Sequence, residues 1–196
     1  MNKLLTTLFA LAVASVTGLA QAQAPAQKKA PAAAPAASAA APAAGGAKSI
    51  EAKVAMCIGC HGIKGYQASF PEVHKVPMIS GQSAKYIVAA LTAYKNGDRK
   101  HPTMRSIAES LSEQDMNDIA AYYEQHGKEN GKALAEKPSK DPSPQVATLL
   151  QKANCVSCHG ANFAKPLDPS YPKIAGQHAD YMFVALKAYK IGRAHV

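Results

Sequence analysis

Two short stretches carry all of the cysteine in the chain. Residues 56–62 read MCIGCHG and residues 154–160 read NCVSCHG, so each sets two thiols two residues apart and places an imidazole directly after the second. Four cysteines in 196 residues allow a disulfide framework. A thioredoxin-like dithiol uses the same spacing, but it belongs beside a βαβ pattern, which this sequence lacks. A zinc site could use four sulfurs, although the two pairs lie about a hundred residues apart and each would be half a site. None of these explains the histidine directly after the second cysteine in both copies. Covalent haem attachment does: two thiols at a helix end reach the two vinyl groups of one porphyrin, and the next side chain falls beneath the ring, where its imidazole can bind iron. Two covalently bound haem c groups are therefore expected, attached at Cys57 and Cys60 and at Cys155 and Cys158, with His61 and His159 as iron ligands.

The residue on the opposite side of each iron decides between a closed electron-transfer centre and an open one that binds small ligands. Met78, Met104, Met116 and His101 are the candidates in the first copy. Met116 belongs to an apolar helical stripe. Met78 follows His61 by only seventeen residues, and its counterpart in the second copy is Lys173. Met104 follows "KHPT" in what reads as a loop between two helices and is the chosen ligand, while His101 would lower the redox potential relative to Met. In the second copy the repeat offset of 95 residues puts the partner of Met104 at position 199, beyond Val196. The chain is thus expected to be an incomplete version of a longer dihaem protein, the alternative being a naturally five-coordinate second haem. Met182 sits at the helix position of Ile87, and His178 or His195 are the other side chains able to approach.

The elements that must hold these residues are helices. Upstream of the first CxxCH, Ile50, Val54, Cys57 and Ile58 share one helical face; upstream of the second, Val146, Leu149, Leu150 and Ala153 do, behind Ser143 as N-cap and Pro144 in the first turn. Downstream, Ile87, Ala90, Leu91 and Tyr94 form a stripe closed by Gly97, repeated from Met182 through Tyr189 and closed by Gly192. Aligned on Pro77 and Pro172, the segments PMISGQSAKYIVAALTAYKNG and PKIAGQHADYMFVALKAYKIG agree at twelve of twenty-one positions, which marks an internal duplication. The first copy alone adds a helix with the stripe Met116, Ile119, Ala120 and Tyr123, capped by Ser112 with Asp115 and ended by Gly127. No alternating strand pattern of useful length is present, so the fold class is all-α with two tandem haem domains, at 48–127 and 143–196, joined by a polar connection over 128–142.

The first 22 residues read as a secretory signal, with Lys3, an apolar run from Leu4 to Ala20 and small residues before the cut. This predicts a periplasmic protein, associated with a membrane only if the segment stays uncleaved. Residues 23–47, rich in Ala and Pro, form a spacer with almost nothing from which to build a core. Lys and Arg number 22 against 13 Asp and Glu, a formal charge of +9 that falls to about +8 without Lys3. The positive residues are scattered, without aromatic interleaving, which argues against nucleic acid and for solubility and capture of an acidic partner.

The paired CxxCH sequences, the repeated P-x-I-x-G-Q with its following Y…L…Y-K-x-G, and MRSIAESLSEQDMNDIAAYY resemble the dihaem class I c-type cytochromes, in particular the cytochrome c4 group. The resemblance covers roughly residues 48–192. It implies Met104 as distal ligand and the carbonyls of Pro77 and Pro172 as acceptors for the second ring N–H of His61 and His159. Gln82, Tyr86, Gln177 and Tyr181 either approach the haem edges and propionates or serve packing and helix starts. The resemblance further implies an electron carrier rather than an enzyme, fed by a quinol-oxidising cytochrome bc complex and drained by a haem-copper terminal oxidase. The rival expectation is a haem enzyme, or the cytochrome subunit of a periplasmic dehydrogenase, with an open second haem.

Overall fold

Serine hydroxyls open helices in both copies, at Ser49 and at Ser143. Ser49 Oγ accepts from the Ala52 N–H at 3.4 Å and opens α1 (Ile50–His61), which runs unbroken through the first CxxCH. A small hairpin follows, β1 (Gln67–Ala68) against β2 (His74–Lys75), paired antiparallel with Ala68 opposite His74. Helix α2 (Ala84–Asn96) has its first N–H groups met by a carboxylate from elsewhere, because Glu124 Oε1 accepts from the Ala84 N–H at 3.0 Å. Gly97, at φ 78°, ends it in the left-handed conformation that a side chain would resist. Helix α3 (Pro102–Glu109) and helix α4 (Glu113–Glu129) complete the first copy. The second copy contributes α5 (Pro144–Lys152), α6 (Val156–His159) and α7 (Ala179–Lys190).

The computed structural model describes residues 48–129 and 134–192. The proposed signal segment 1–22, the 23–47 spacer and His195 lie outside the described residues.

The apolar stripes of the first copy converge as their spacing requires. Val54 from α1, Ile87 and Leu91 from α2, Ala108 from α3, Leu111, and Met116, Ile119, Ala120 and Tyr123 from α4 form one buried cluster, with α2 packed on both α3 and α4 and α1 crossing α4. The second copy departs from the same stripe. Leu91 is 8% exposed, whereas its counterpart Leu186 is 59% exposed, and Tyr189, Val146 and Leu149 are exposed as well. On α7 it is Val184 that is buried, and α7 packs on β2 of the first copy. Among the described residues nothing equivalent to α3 and α4 covers this face, so the stripe has no partner to bury it.

Two local readings of the sequence are corrected, and one break between helices is new. Helix α4 passes through Gly127 and ends at Glu129, because a glycine inside a well-anchored helix costs only about 1 kcal/mol and does not by itself stop it. Met104 stands on helix α3, not in a loop: Pro102 occupies the first turn and the His101 imidazole is the N-cap, its Nδ1 accepting from the Met104 N–H at 3.3 Å. The second CxxCH does not continue its upstream helix. Asn154, at φ 50°, breaks the chain between α5 and the single turn of α6.

The two copies lie in one compact unit and are joined by a reciprocal pair of amide clamps. Gln82 Nε2 donates to the Lys173 carbonyl at 3.0 Å while its Oε1 accepts from the Lys173 N–H at 2.9 Å. Gln177 Nε2 donates to the Met78 carbonyl at 2.9 Å while its Oε1 accepts from the Met78 N–H at 3.0 Å. The 95-residue offset relates Gln82 to Gln177 and Met78 to Lys173, so the duplication has built a local two-fold contact from its own repeat. Lys75 and Asp180 add an ion pair at 3.1 Å, and Ser83 Oγ donates to the Pro169 carbonyl at 2.7 Å. The connection between the copies takes part: Leu134 is buried and its N–H bonds to the Ser80 carbonyl, while the Ala135 N–H bonds to the Ala175 carbonyl.

Candidate haem-binding sites

His61 ends α1, and its Nδ1 lies 2.7 Å from the Pro77 carbonyl oxygen. His159 ends α6, with Nδ1 2.9 Å from the Pro172 carbonyl oxygen. A carbonyl only accepts, so each Nδ1 carries the hydrogen, and in the neutral ring Nε2 is left with its lone pair. The tautomer is thereby fixed as iron coordination through Nε2 requires, and the acceptor orients the ring. The connecting loops differ: sixteen residues separate His61 from Pro77, and thirteen separate His159 from Pro172. The longer loop carries the β1–β2 hairpin, yet both loops deliver a proline carbonyl to the same ring atom.

All four thiols are free, with Cys57, Cys60 and Cys155 partly buried and Cys158 exposed. Burial pushes the Cys57 thiol up from its ordinary value, so it stands protonated at neutral pH. Burial likewise pushes the His61 imidazole down; the Pro77 carbonyl opposes this and the charge of nearby His101 adds to it. Cys57 and Met104 both pack against the first copy's core from its partly buried rim. Met116 is inside that core, 3% exposed, with its sulfur 3.9 Å from the Thr92 hydroxyl. Met78 has its backbone held by Gln177, and the His101 Nδ1 is spent on the α3 cap.

The donor set fits a haem in each copy. Each offers two unpaired thiols and a histidine with a free Nε2, and apolar side chains next to them in the chain are exposed, Ile58 and Ile63 in the first copy and Val156 in the second. The Tyr123 hydroxyl is buried without a hydrogen-bond partner among the described residues and is the kind of group a bound polar substituent satisfies.

Gln82, Gln177, Tyr86 and Tyr181 are drawn to the junction between the copies. The glutamines form the clamps, and the Tyr86 and Tyr181 hydroxyls accept from one guanidinium, that of Arg99. The repeated G-Q marked the glutamines as equivalent positions of the two copies, but not as clamps across the junction. Arg99 had no such mark, because it follows Gly97 in a polar turn and its contact to Tyr181 spans 82 residues.

The family model described as cytochrome c matches residues 43–127 and 143–196. A cytochrome c4 from Pseudomonas aeruginosa is 28% identical over 196 residues, spanning 98% of this chain and 83% of that protein. One from Thiocapsa roseopersicina is 33% identical over 148 residues, spanning 71% and 72%. The crystal structure of reduced recombinant cytochrome c4 from Pseudomonas stutzeri is similar with a TM-score of 0.54 at 27% identity, over 74% of this chain and 80% of that one. A thiosulfate dehydrogenase from Marichromatium purpuratum is similar with a TM-score of 0.51 at 26% identity, over 71% of this chain and 30% of that one. Twin CxxCH helices, twin histidine–carbonyl bonds and these likenesses agree: the chain belongs to the cytochrome c family, as a dihaem electron-transfer protein of the cytochrome c4 group.

Proposed function

We propose that this is a periplasmic single-electron carrier in which Cys57 and Cys60, and Cys155 and Cys158, each hold one haem c by thioether bonds, with His61 and His159 binding iron through Nε2. Met104 takes the sixth position of the first centre. Haem supplies a one-electron iron couple at each site. The chain supplies the rest. The Pro77 and Pro172 carbonyls hold both imidazoles in register and raise their basicity as ligands. The His101 cap fixes the first turn of α3 and with it the Met104 backbone. The packed core of α1, α2, α3 and α4 backs Cys57 and Met104 from one side.

The observation that carries this reading is the repeated Nδ1–carbonyl bond, 2.7 and 2.9 Å, on two histidines that each follow a pair of free thiols. Electrons come from a quinol-oxidising cytochrome bc complex and pass to a haem-copper terminal oxidase. With two haems contributing about four propionate charges, the charge of about +8 left without Lys3 becomes a modest positive excess, suited to small, transient and salt-sensitive contacts. A second reading, the cytochrome subunit of a periplasmic dehydrogenase, is favoured by the likeness to the thiosulfate dehydrogenase structure.

Full-length protein matured in an exporting, haem-loading host tests the assignment. Its intact mass should exceed the processed polypeptide by two haems, and a Cys57→Ala/Cys60→Ala variant should carry one. Reduction by a bc complex should slow as salt rises. A chain without added porphyrin mass overturns the site assignment. Failure to exchange electrons with either respiratory partner, with thiosulfate oxidation in a reconstituted complex, moves the protein to the second reading.

A further inference from the structure

The loop that returns a proline carbonyl to the CxxCH histidine spans sixteen residues in the first copy and thirteen in the second. In the first copy it folds into the β1–β2 hairpin, closed at its base by the Val76 N–H on the Tyr66 carbonyl at 2.9 Å. Among the described residues the second copy has no such hairpin. Two paired residues per strand do not hold themselves together in water, so the hairpin is held by what it touches.

On one side it touches the second copy. Lys75, on β2, donates to Asp180 Oδ2 on α7 through both its backbone N–H and its Nζ, each at 3.1 Å. Glu72, in the hairpin tip, pairs with Lys187 further along α7. His74 is 3% exposed, with its Nδ1 donating to the Glu72 carbonyl at 2.8 Å and its ring centroid 5.9 Å from that of Tyr181. On the other side the tip carries Phe70, whose ring stands edge-on to the His101 imidazole, 5.8 Å between centroids and 89° between planes. Tyr94 of α2 meets the same imidazole at 6.3 Å and 76°. His101 Nδ1 is the group that caps α3 at the Met104 N–H. Phe70 is 46% exposed and stands outside the buried core, so its contact with His101 is not a by-product of core packing. Phe70 and Glu72 are two residues apart, and one short tip therefore joins α7 of the second copy to the cap that holds Met104.

We infer that Phe70 is a positioning residue for Met104: the hairpin, anchored on α7, holds the Phe70 ring against His101 and so keeps the α3 cap, and with it the sixth ligand of the first centre, in place. This rests on the assignment of Met104 to iron made above. The iron–sulfur bond of one copy then depends on how the hairpin packs against the other copy. A hairpin that merely covers surface would leave Met104 indifferent to both contacts.

Displacement of Met104 by imidazole in ferric full-length holoprotein separates the two roles. The iron–sulfur bond breaks, an iron–nitrogen bond to imidazole forms and no electron moves, so loss of the charge-transfer band of methionine-bound ferric haem follows the step directly. Phe70→Ala should speed displacement about two- to tenfold, the rate equivalent of one lost aromatic edge contact. Phe70→Tyr, which keeps the ring, should stay at the parent rate. Asp180→Ala, in the other copy, should speed the same step, and should add nothing when combined with Phe70→Ala, because its effect passes through that ring. An unchanged rate in Phe70→Ala or in Asp180→Ala, equal rates in Phe70→Ala and Phe70→Tyr, or multiplied effects in the double variant overturn the inference. A parent that never shows the band would instead defeat the Met104 assignment, before any variant is compared.

Discussion

Gly160 turns the chain away from the second CxxCH at φ 78°. A Cβ added there would lie 2.0 Å from the Lys165 carbonyl oxygen, a backbone atom that cannot swing aside. The same loop holds the Leu167 N–H on the Cys158 carbonyl at 3.0 Å, so the glycine, the thiol position and the following turn are one unit. Gly62, in the same place of the first copy, sits at φ −90° and only caps α1. Gly160→Ala should therefore cost ~1–3 kcal/mol in backbone strain alone, and more from the overlap. Thermal unfolding and intact mass check this: a lower midpoint and poorer haem loading of the second copy, with the first copy loaded as in the parent. The CxxCH spacing was legible without any structure, since its chemistry is local. The need for glycine at 160 was not, because it comes from a carbonyl five residues away brought back by the turn.

At the scale of elements, α4 depends on its first turn. Ser112 Oγ accepts from the Asp115 N–H at 3.1 Å, and Asp115 Oδ2 accepts from the Ser112 N–H at 3.1 Å. Lys53 on α1 reaches across to Asp115 at 3.0 Å and Asp118 at 2.5 Å, pinning the α1–α4 crossing. Ser112→Ala should cost ~1 kcal/mol of stability, the usual loss for an N-cap, read from denaturant unfolding. The Ser112 hydroxyl foremost, with the Lys53 ammonium, holds the Asp115 carboxyl down at about 2 from 3.8. A depressed carboxylate stabilises the fold at pH above its unfolded value and loses that contribution as pH falls through the folded one. Stability should thus decline between pH 3.8 and about 2, and less steeply in Ser112→Ala, in a series of denaturation midpoints. The cap and the stripe were readable from sequence; the Lys53 bridge was not, since nothing in its periodicity marks which distant helix it meets.

The whole molecule is held together by its own repeat. Each clamp glutamine occupies both hydrogen-bonding groups of a residue in the other copy, and Gln82 is 3% exposed. Removing a partner from buried polar groups costs about 1–3 kcal/mol, so Gln82→Ala should exceed Gln177→Ala, whose site is only partly buried. The double variant should divide a single calorimetric transition into two, as the copies unfold independently. A transition that stays single in the double variant would place the cohesion elsewhere, in the Lys75–Asp180 pair and the Leu134 anchor.

Sequence alone determined the chemistry and the duplication: the thiol and imidazole spacing, the helical stripes and the P-x-I-x-G-Q repeat are local or periodic, and local order follows from side-chain type and backbone preference. Tertiary structure decided which equal-looking positions are used differently. Leu91 is buried and Leu186 is not, because α3 and α4 cover only the former among the described residues. Gln82 reaches Lys173 and Gln177 reaches Met78 across the junction, and Arg99 finds Tyr86 and Tyr181 there. The two clamps and the Arg99–Tyr181 bond join residues 82 to 99 positions apart, and no pattern along the chain encodes which surfaces come together once the helices pack.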